Sequence, residues 1–180
     1  IASGDETAAL TAYTTTTTGA TSVTLTATDG TWSVATADLA TALAAGVRFA
    51  GALTVTGIAD GNESAALTAF TTAKTGASTV TLTSDGAWSV SAADLTTALA
   101  AGVRFAGTLT VTAIANGDET AALTAFTATT TGATNVTLTA TDNVWSVAAA
   151  TLDTALAAGV QLAGNLTVTG ISTETDASTK

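Results

Sequence analysis

Ser78-Thr-Val-Thr-Leu-Thr-Ser-Asp-Gly-Ala-Trp-Ser-Val-Ser91 alternates apolar and hydroxyl side chains for most of its length. Val80 and Leu82 fall on one face and Thr79, Thr81 and Thr83 on the other, the period-two pattern of a half-buried strand. Asp85-Gly86 interrupts it, and a dipeptide of this kind tolerates the positive φ of a tight hairpin turn. Trp88 and Val90 then resume the alternation. The segment therefore predicts a β-hairpin with the indole on its buried face. The same reading applies to Val23, Leu25, Trp32 and Val34 around Asp29-Gly30. In a third copy Asp142-Asn143 stands at the turn, and asparagine also enters the left-handed region.

Working outward, Asp94-Leu-Thr-Thr-Ala-Leu-Ala-Ala-Gly102 predicts a helix of about two turns. Asp94 would cap it, Gly102 would close it, and Leu95 and Leu99 would share a face. Asp38 and Thr151 hold the capping position in the other copies. Gly107-Thr-Leu-Thr-Val-Thr-Ala113 alternates again, and Ile114 breaks the parity, which marks a bulge or strand end. Ala65-Ala-Leu-Thr-Ala-Phe-Thr-Thr-Ala73 reads as a further strand. The predicted core of the central copy is Leu67, Phe70, Val80, Leu82, Trp88, Val90, Leu95, Leu99, Val103, Phe105, Leu109, Val111 and Ile114.

The copies define a tandem array. Trp32, Trp88 and Trp145 recur at steps of 56 and 57 residues, and Ile1, Ile58, Ile114 and Ile171 at steps of 57, 56 and 57. Leu-Ala-Ala-Gly-Val recurs at 43–47, 99–103 and 156–160 in near-identical surroundings. Three repeats follow, 1–57, 58–113 and 114–170, with a tail at 171–180. A unit of this size buries only about 60% of its chain surface on folding alone, so neighbouring repeats are expected to share buried surface. Ile1 opens the chain at the phase of Ile58, as a segment of a longer array would.

Fourteen acidic residues oppose four basic ones, for a net charge of −10, and the chain has no Cys, Met, His or Pro. That charge argues against nucleic acid and anionic membrane surfaces, which are bound by cationic patches. No apolar run approaches the roughly 20 residues that span a bilayer. The acidic, Thr-rich, Lys-poor composition looks like that of a bacterial exoprotein. Lacking His and Cys, the chain has no base poised near neutrality and no thiol nucleophile, so an enzyme is not expected.

Asp85-Gly-Ala-Trp-Ser-Val-Ser-Ala-Ala-Asp-Leu95, the Ala-rich stretch to Gly102 and Gly107-Thr-Leu-Thr-Val-Thr-Ala113 together resemble bacterial immunoglobulin-like repeats. Ala59-Asp-Gly-Asn-Glu-Ser64 is similar to a turn of the same repeats. Such repeats occur in tandem in large secreted adhesins, commonly exported by type I systems. The resemblance implies an all-β fold of small Ig-like sandwiches, each with one short helix. It also implies an extracellular, cell-surface role. Because this period is far shorter than the usual domain, either the sandwich is truncated or strands are shared between repeats.

The acidic turns are the candidate ligand sites. Asp5 and Glu6, Asp60 and Glu63, and Asp118 and Glu119 cluster oxygens at one phase of the repeat. Beside Asp29, Asp85 or Asp142 of a neighbour they could supply part of the six to eight hard oxygens that calcium takes, at repeat junctions. The plainer reading is a solvated polar turn, and no cofactor is required. Thr14–Thr18 and Thr127–Thr131 could carry O-linked sugars, and the regular Thr-x-Thr rows could instead present a flat ice-matching surface. More simply, Thr suits the outer face of a strand. Arg48 and Arg104, with Gln161 in the third copy, could pair with a neighbour's Asp or lie along a sheet edge. Asn165-Leu-Thr fits the N-glycosylation sequon.

Two functions follow as expectations. The first is a structural or adhesive spacer in an extracellular bacterial surface protein, its partners being neighbouring repeats and an unspecified host or surface ligand. The second is a filament subunit whose copies join by β-strand addition.

Overall fold

The computed structural model describes residues 1–2 and 4–171 and overturns the all-β Ig-like sandwich. Helix and strand alternate along the chain, and every strand pairing is parallel. The tail expected at 171–180 lies, beyond Ile171, outside the described residues.

Each repeat opens on a helix: α1 (Glu6–Ala12), α4 (Glu63–Ala69) and α7 (Glu119–Ala125). The predicted strand at 65–73 is therefore a correction. Ala66, Leu67 and Phe70 are spaced for one helical face, and all three are buried. A single turn follows, α2 (Thr15–Thr18), α5 (Thr72–Thr75) or α8 (Ala128–Thr131). Thr14, Thr71 and Thr127 cap it, each Oγ1 accepting from the backbone N–H three residues on, at 3.1, 3.3 and 3.1 Å. Thr14–Thr18 and Thr127–Thr131 thus lie in capped turns, whereas the Thr-x-Thr rows of 79–83 and 108–112 do lie in strands. In Thr18, Thr75 and Thr131 the hydroxyl returns to a carbonyl four residues back.

Then come the strands: β1 (Val23–Ala35), β2 (Val47–Ile58), β3 (Thr79–Ser84), β4 (Trp88–Ser91), β5 (Val103–Ala106), β6 (Thr108–Ile114), β7 (Asn135–Ala148) and β8 (Val160–Thr169). Helices α3 (Thr36–Ala44), α6 (Ala92–Ala100) and α9 (Ala149–Ala157) follow the tryptophan strands. They start two residues before Asp38, Asp94 and Thr151, which lie in the first turn and are not the caps. Ser91 fills that role for α6: its Oγ accepts from the Asp94 N–H at 3.1 Å and donates to the Asp94 carboxylate at 2.8 Å.

The predicted hairpin is the second correction. β1 runs from Val23 to Ala35 straight through Asp29-Gly30, and β7 from Asn135 to Ala148 through Asp142-Asn143. Gly30 (φ 76°) and Asn143 (φ 57°) do take left-handed φ. The positive φ bends a through-going strand and shifts its register without reversing it. The segments before and after the bend do not pair with each other; each pairs with a different part of the neighbouring strand.

The described chain divides into two compact units. Unit 1 holds residues 1–86 and 96–106, with the parallel sheet β1-β2-β3-β5. Its core rows run Trp32–Leu53–Val80–Val103 and Val34–Val55–Leu82–Phe105. On the other face runs Ser33–Thr54–Thr81–Arg104. Helices α1 and α3 pack on the apolar rows and on each other. Unit 2 holds 87–95 and 107–171 of the described chain, with the sheet β4-β6-β7-β8. Its rows are Trp88–Leu109–Val136–Val160, Val90–Val111–Leu138–Leu162 and Ser89–Thr110–Thr137–Gln161. There α7 and α9 pack on the sheet and on each other.

All three indoles are buried, at 2% exposure or less. Trp32 and Trp145 donate to the carbonyls of Ala50 and Ala163, at 3.1 and 2.9 Å. Trp32 also meets Phe49 edge-on with centroids 5.2 Å apart. Of the predicted core of the central copy, only Leu99 is not fully buried.

Candidate functional site

The acidic turns belong to the entries of α1, α4 and α7. Asp5 and Asp118 stand just before their helices, and Glu6, Glu63 and Glu119 are first residues. The Glu6 carboxylate folds back to accept from the Gly4 N–H at 2.6 Å, and Glu119 accepts from Gly117 at 2.7 Å. A carboxylate here satisfies a backbone donor and sits favourably at a helix N-terminus. Asp60 is exposed and lies against Gly86, so close that a Cβ at that glycine would strike its carboxylate. Unit 1 thus brings Asp60 beside the Asp85-Gly86 bend.

The other bend carboxylates face their own backbone. Asp29 accepts from the Thr31 N–H at 3.0 Å and Asp142 from the Val144 N–H at 3.0 Å. The Thr31 backbone and then its side chain hold the Asp29 carboxyl below the usual aspartate value. Among the described residues, no three Asp or Glu side chains gather where one cation could bridge them.

The repeated arginines serve the helices. Arg48 donates to the carbonyls of Val47 and Leu43 at 2.8 and 3.4 Å, and Arg104 to those of Val103 and Leu99 at the same distances. Leu43 and Leu99 lie in the last turns of α3 and α6, where a cation meets the negative end of the helix. Gln161, in the third repeat, is exposed.

Two features escaped the sequence reading. One is an alanine-lined cleft of about 410 Å³ in unit 1, between α3 and α4, walled by Ala37 and Ala40 on one side and Ala65, Ala69 and Phe70 on the other. The other is a difference between equivalent strands. Among the described residues, 80–82 and 136–138 have a strand on both sides, but the equivalent 23–25 pairs with a strand on one side. Likewise, among the described residues, 52–55 and 109–111 are flanked twice and 165–169 once. The tryptophan and arginine strands have one neighbour in every repeat. Exposure follows the pairing: Leu53 and Leu109 are 1% and 0% exposed, and Leu166 is 44%. The signal was present in the phase of the repeats but needed the strand partners to be read.

No helix among the described residues is long and apolar enough to cross a membrane. No protein-family model, curated protein or solved structure matches the chain.

Proposed function

We propose that the chain is a structural spacer of an extracellular bacterial surface protein, in which each repeat is coupled to the next by backbone hydrogen bonding. The observation that carries this reading is the pairing across repeat boundaries. In unit 1, Leu53 and Val55 of the first repeat lie in register with Val80 and Leu82 of the second. In unit 2, Leu109 and Val111 of the second repeat lie beside Val136 and Leu138 of the third. A boundary between repeats is therefore the middle of a sheet. Repeat arrays of this kind draw stability from nearest-neighbour interfaces as much as from each unit. The acidic balance and the Ser/Thr rows on the outer sheet faces support a solvated surface location.

Single-molecule stretching between residues 2 and 170 tests the mechanical part. A 57-residue repeat unfolding alone releases about 20 nm of contour, at roughly 3.5 Å per residue. Coupled repeats should release markedly longer steps, and regular steps of one repeat would contradict the proposal. Antibody labelling of intact source cells tests the location.

A further inference from the structure

We propose that Asn116 is a self-modifying residue, which closes a cyclic imide with the Gly117 backbone and opens to aspartate and isoaspartate at a rate held down by the Glu119 carboxylate. The inference stands apart from the spacer reading and uses residues of unit 2 alone.

Chemistry selects the position. A backbone nitrogen can attack the side-chain carbonyl carbon of the asparagine before it, and glycine, with no Cβ, hinders that approach least. The chain has five asparagines, and only Asn116 precedes a glycine. Asn62 precedes Glu, Asn135 and Asn143 precede Val, and Asn165 precedes Leu.

The fold leaves this pair accessible. Asn116 and Gly117 are exposed in the turn between β6 and α7, which the Asp118 N–H closes by donating to the Ala115 carbonyl at 3.0 Å. Gly117 takes a φ of 95°, and nothing stands within 4 Å of where its Cβ would be. Asn135, Asn143 and Asn165 instead lie within β7 and β8, in backbone that the sheet holds.

The reaction balances with water as its one co-reactant. The Gly117 nitrogen gives up its proton and bonds to Asn116 Cγ. The Cγ–Nδ2 bond breaks, and Nδ2 takes a proton and leaves as ammonia. Water then opens the imide. Cleavage of the new Cγ–nitrogen bond gives aspartate, and cleavage at the main-chain carbonyl gives isoaspartate. The first product reproduces the second repeat, which has Asp60-Gly61 at this phase. The second adds a methylene to the main chain at the entry of α7, which buries Ala122 and Leu123.

Glu119 restrains the first step. Its Oε2 accepts from the Gly117 N–H at 2.7 Å. The nitrogen must therefore lose its proton beside a negative charge and forfeit a charge-assisted bond, and both oppose the anion.

Mass mapping of the 180-residue chain during incubation in mildly alkaline buffer tests this. Fragment spectra should show the Asn116 amide converted to acid, as a mixture of aspartate and isoaspartate, before any change at Asn62, Asn135, Asn143 or Asn165. Asn116→Gln, whose longer side chain closes a larger ring, should stay intact over the same time. Glu119→Gln keeps the shape and removes the charge, and should raise the rate at Asn116 severalfold. In strong urea the gap between parent and Glu119→Gln should shrink, because the contact belongs to the folded turn. Hydrogen-exchange protection at 122–126 should persist in that variant. Asn116 intact after another asparagine has reacted would overturn the site. An unchanged rate in Glu119→Gln, a gap undiminished by urea, or acceleration accompanied by loss of that protection would overturn the restraint.

Discussion

Ala113 is one of two described non-glycine residues with positive φ, at 57°, where the first and third repeats have Gly57 at 68° and Gly170 at 72°. Its Cβ crowds the backbone in this region at a cost of roughly 1–2 kcal/mol. Ala113→Gly should therefore stabilise the chain by about 1 kcal/mol, seen as a raised midpoint in thermal unfolding; a lower midpoint would contradict the strain. At the buried extreme, Trp145→Ala removes a wholly enclosed indole and its bond to Ala163. The cost should be about 3–5 kcal/mol in urea unfolding. Asp29 gives a pH dependence. Its folded value lies below the ordinary 3.8, so its contribution is present above pH 3.8 and is lost as pH falls through the folded value. Asp29→Asn should lose less stability than the parent between pH 5 and pH 3, and equal losses would show that the Thr31 contact contributes nothing.

At the scale of elements, α3 begins after Ala35 with no side-chain cap, yet Asp38 stands where Asp94 answers Ser91 in α6. Ala35→Ser should rebuild that reciprocal pair and add about 0.5–1 kcal/mol, and an unchanged melting temperature would count against it. The contrast shows what a sequence can tell. Alternation in 79–84, 88–91 and 108–114 placed the strands and the faces of Val80, Leu82, Trp88, Val90, Leu109 and Val111, because side-chain direction is local. It could not place partners. Asp-Gly accommodates positive φ equally in a reversing hairpin and in a bend within a continuing strand, and only distant segments decide between them. Ala65–Ala73 reads as strand or helix alike because Ala and Thr dominate both patterns. The acid-rich entry at Asn62-Glu63 and the three-residue step from Leu67 to Phe70 were the helical signals available. The acidic phase was legible as a place; there Glu6 and Glu119 bond the backbone of the helix entries, while the Asp5 and Asp118 side chains make no capping bond. The difference between equivalent strands was legible only once the strand partners were known.

At the scale of the whole chain, the 57-residue period is one of sequence, and each sheet draws on two successive repeats. A change confined to one repeat should therefore loosen its neighbour's strand. Val111→Ala should lower hydrogen-exchange protection at 136–139 as well as at 109–112, since these residues share one ladder; protection lost only within the second repeat would separate the repeats. Parallel pairing across repeat boundaries is what joins the repeats. Nuclear Overhauser contacts between backbone protons of the 180-residue chain measure it most directly. The structure predicts contacts that pair Leu53 with Val80 and Val55 with Leu82, advancing in the same direction along both strands. Contacts running in opposite directions about Asp85-Gly86, with Thr83 beside Trp88 and Thr81 beside Val90, would contradict it.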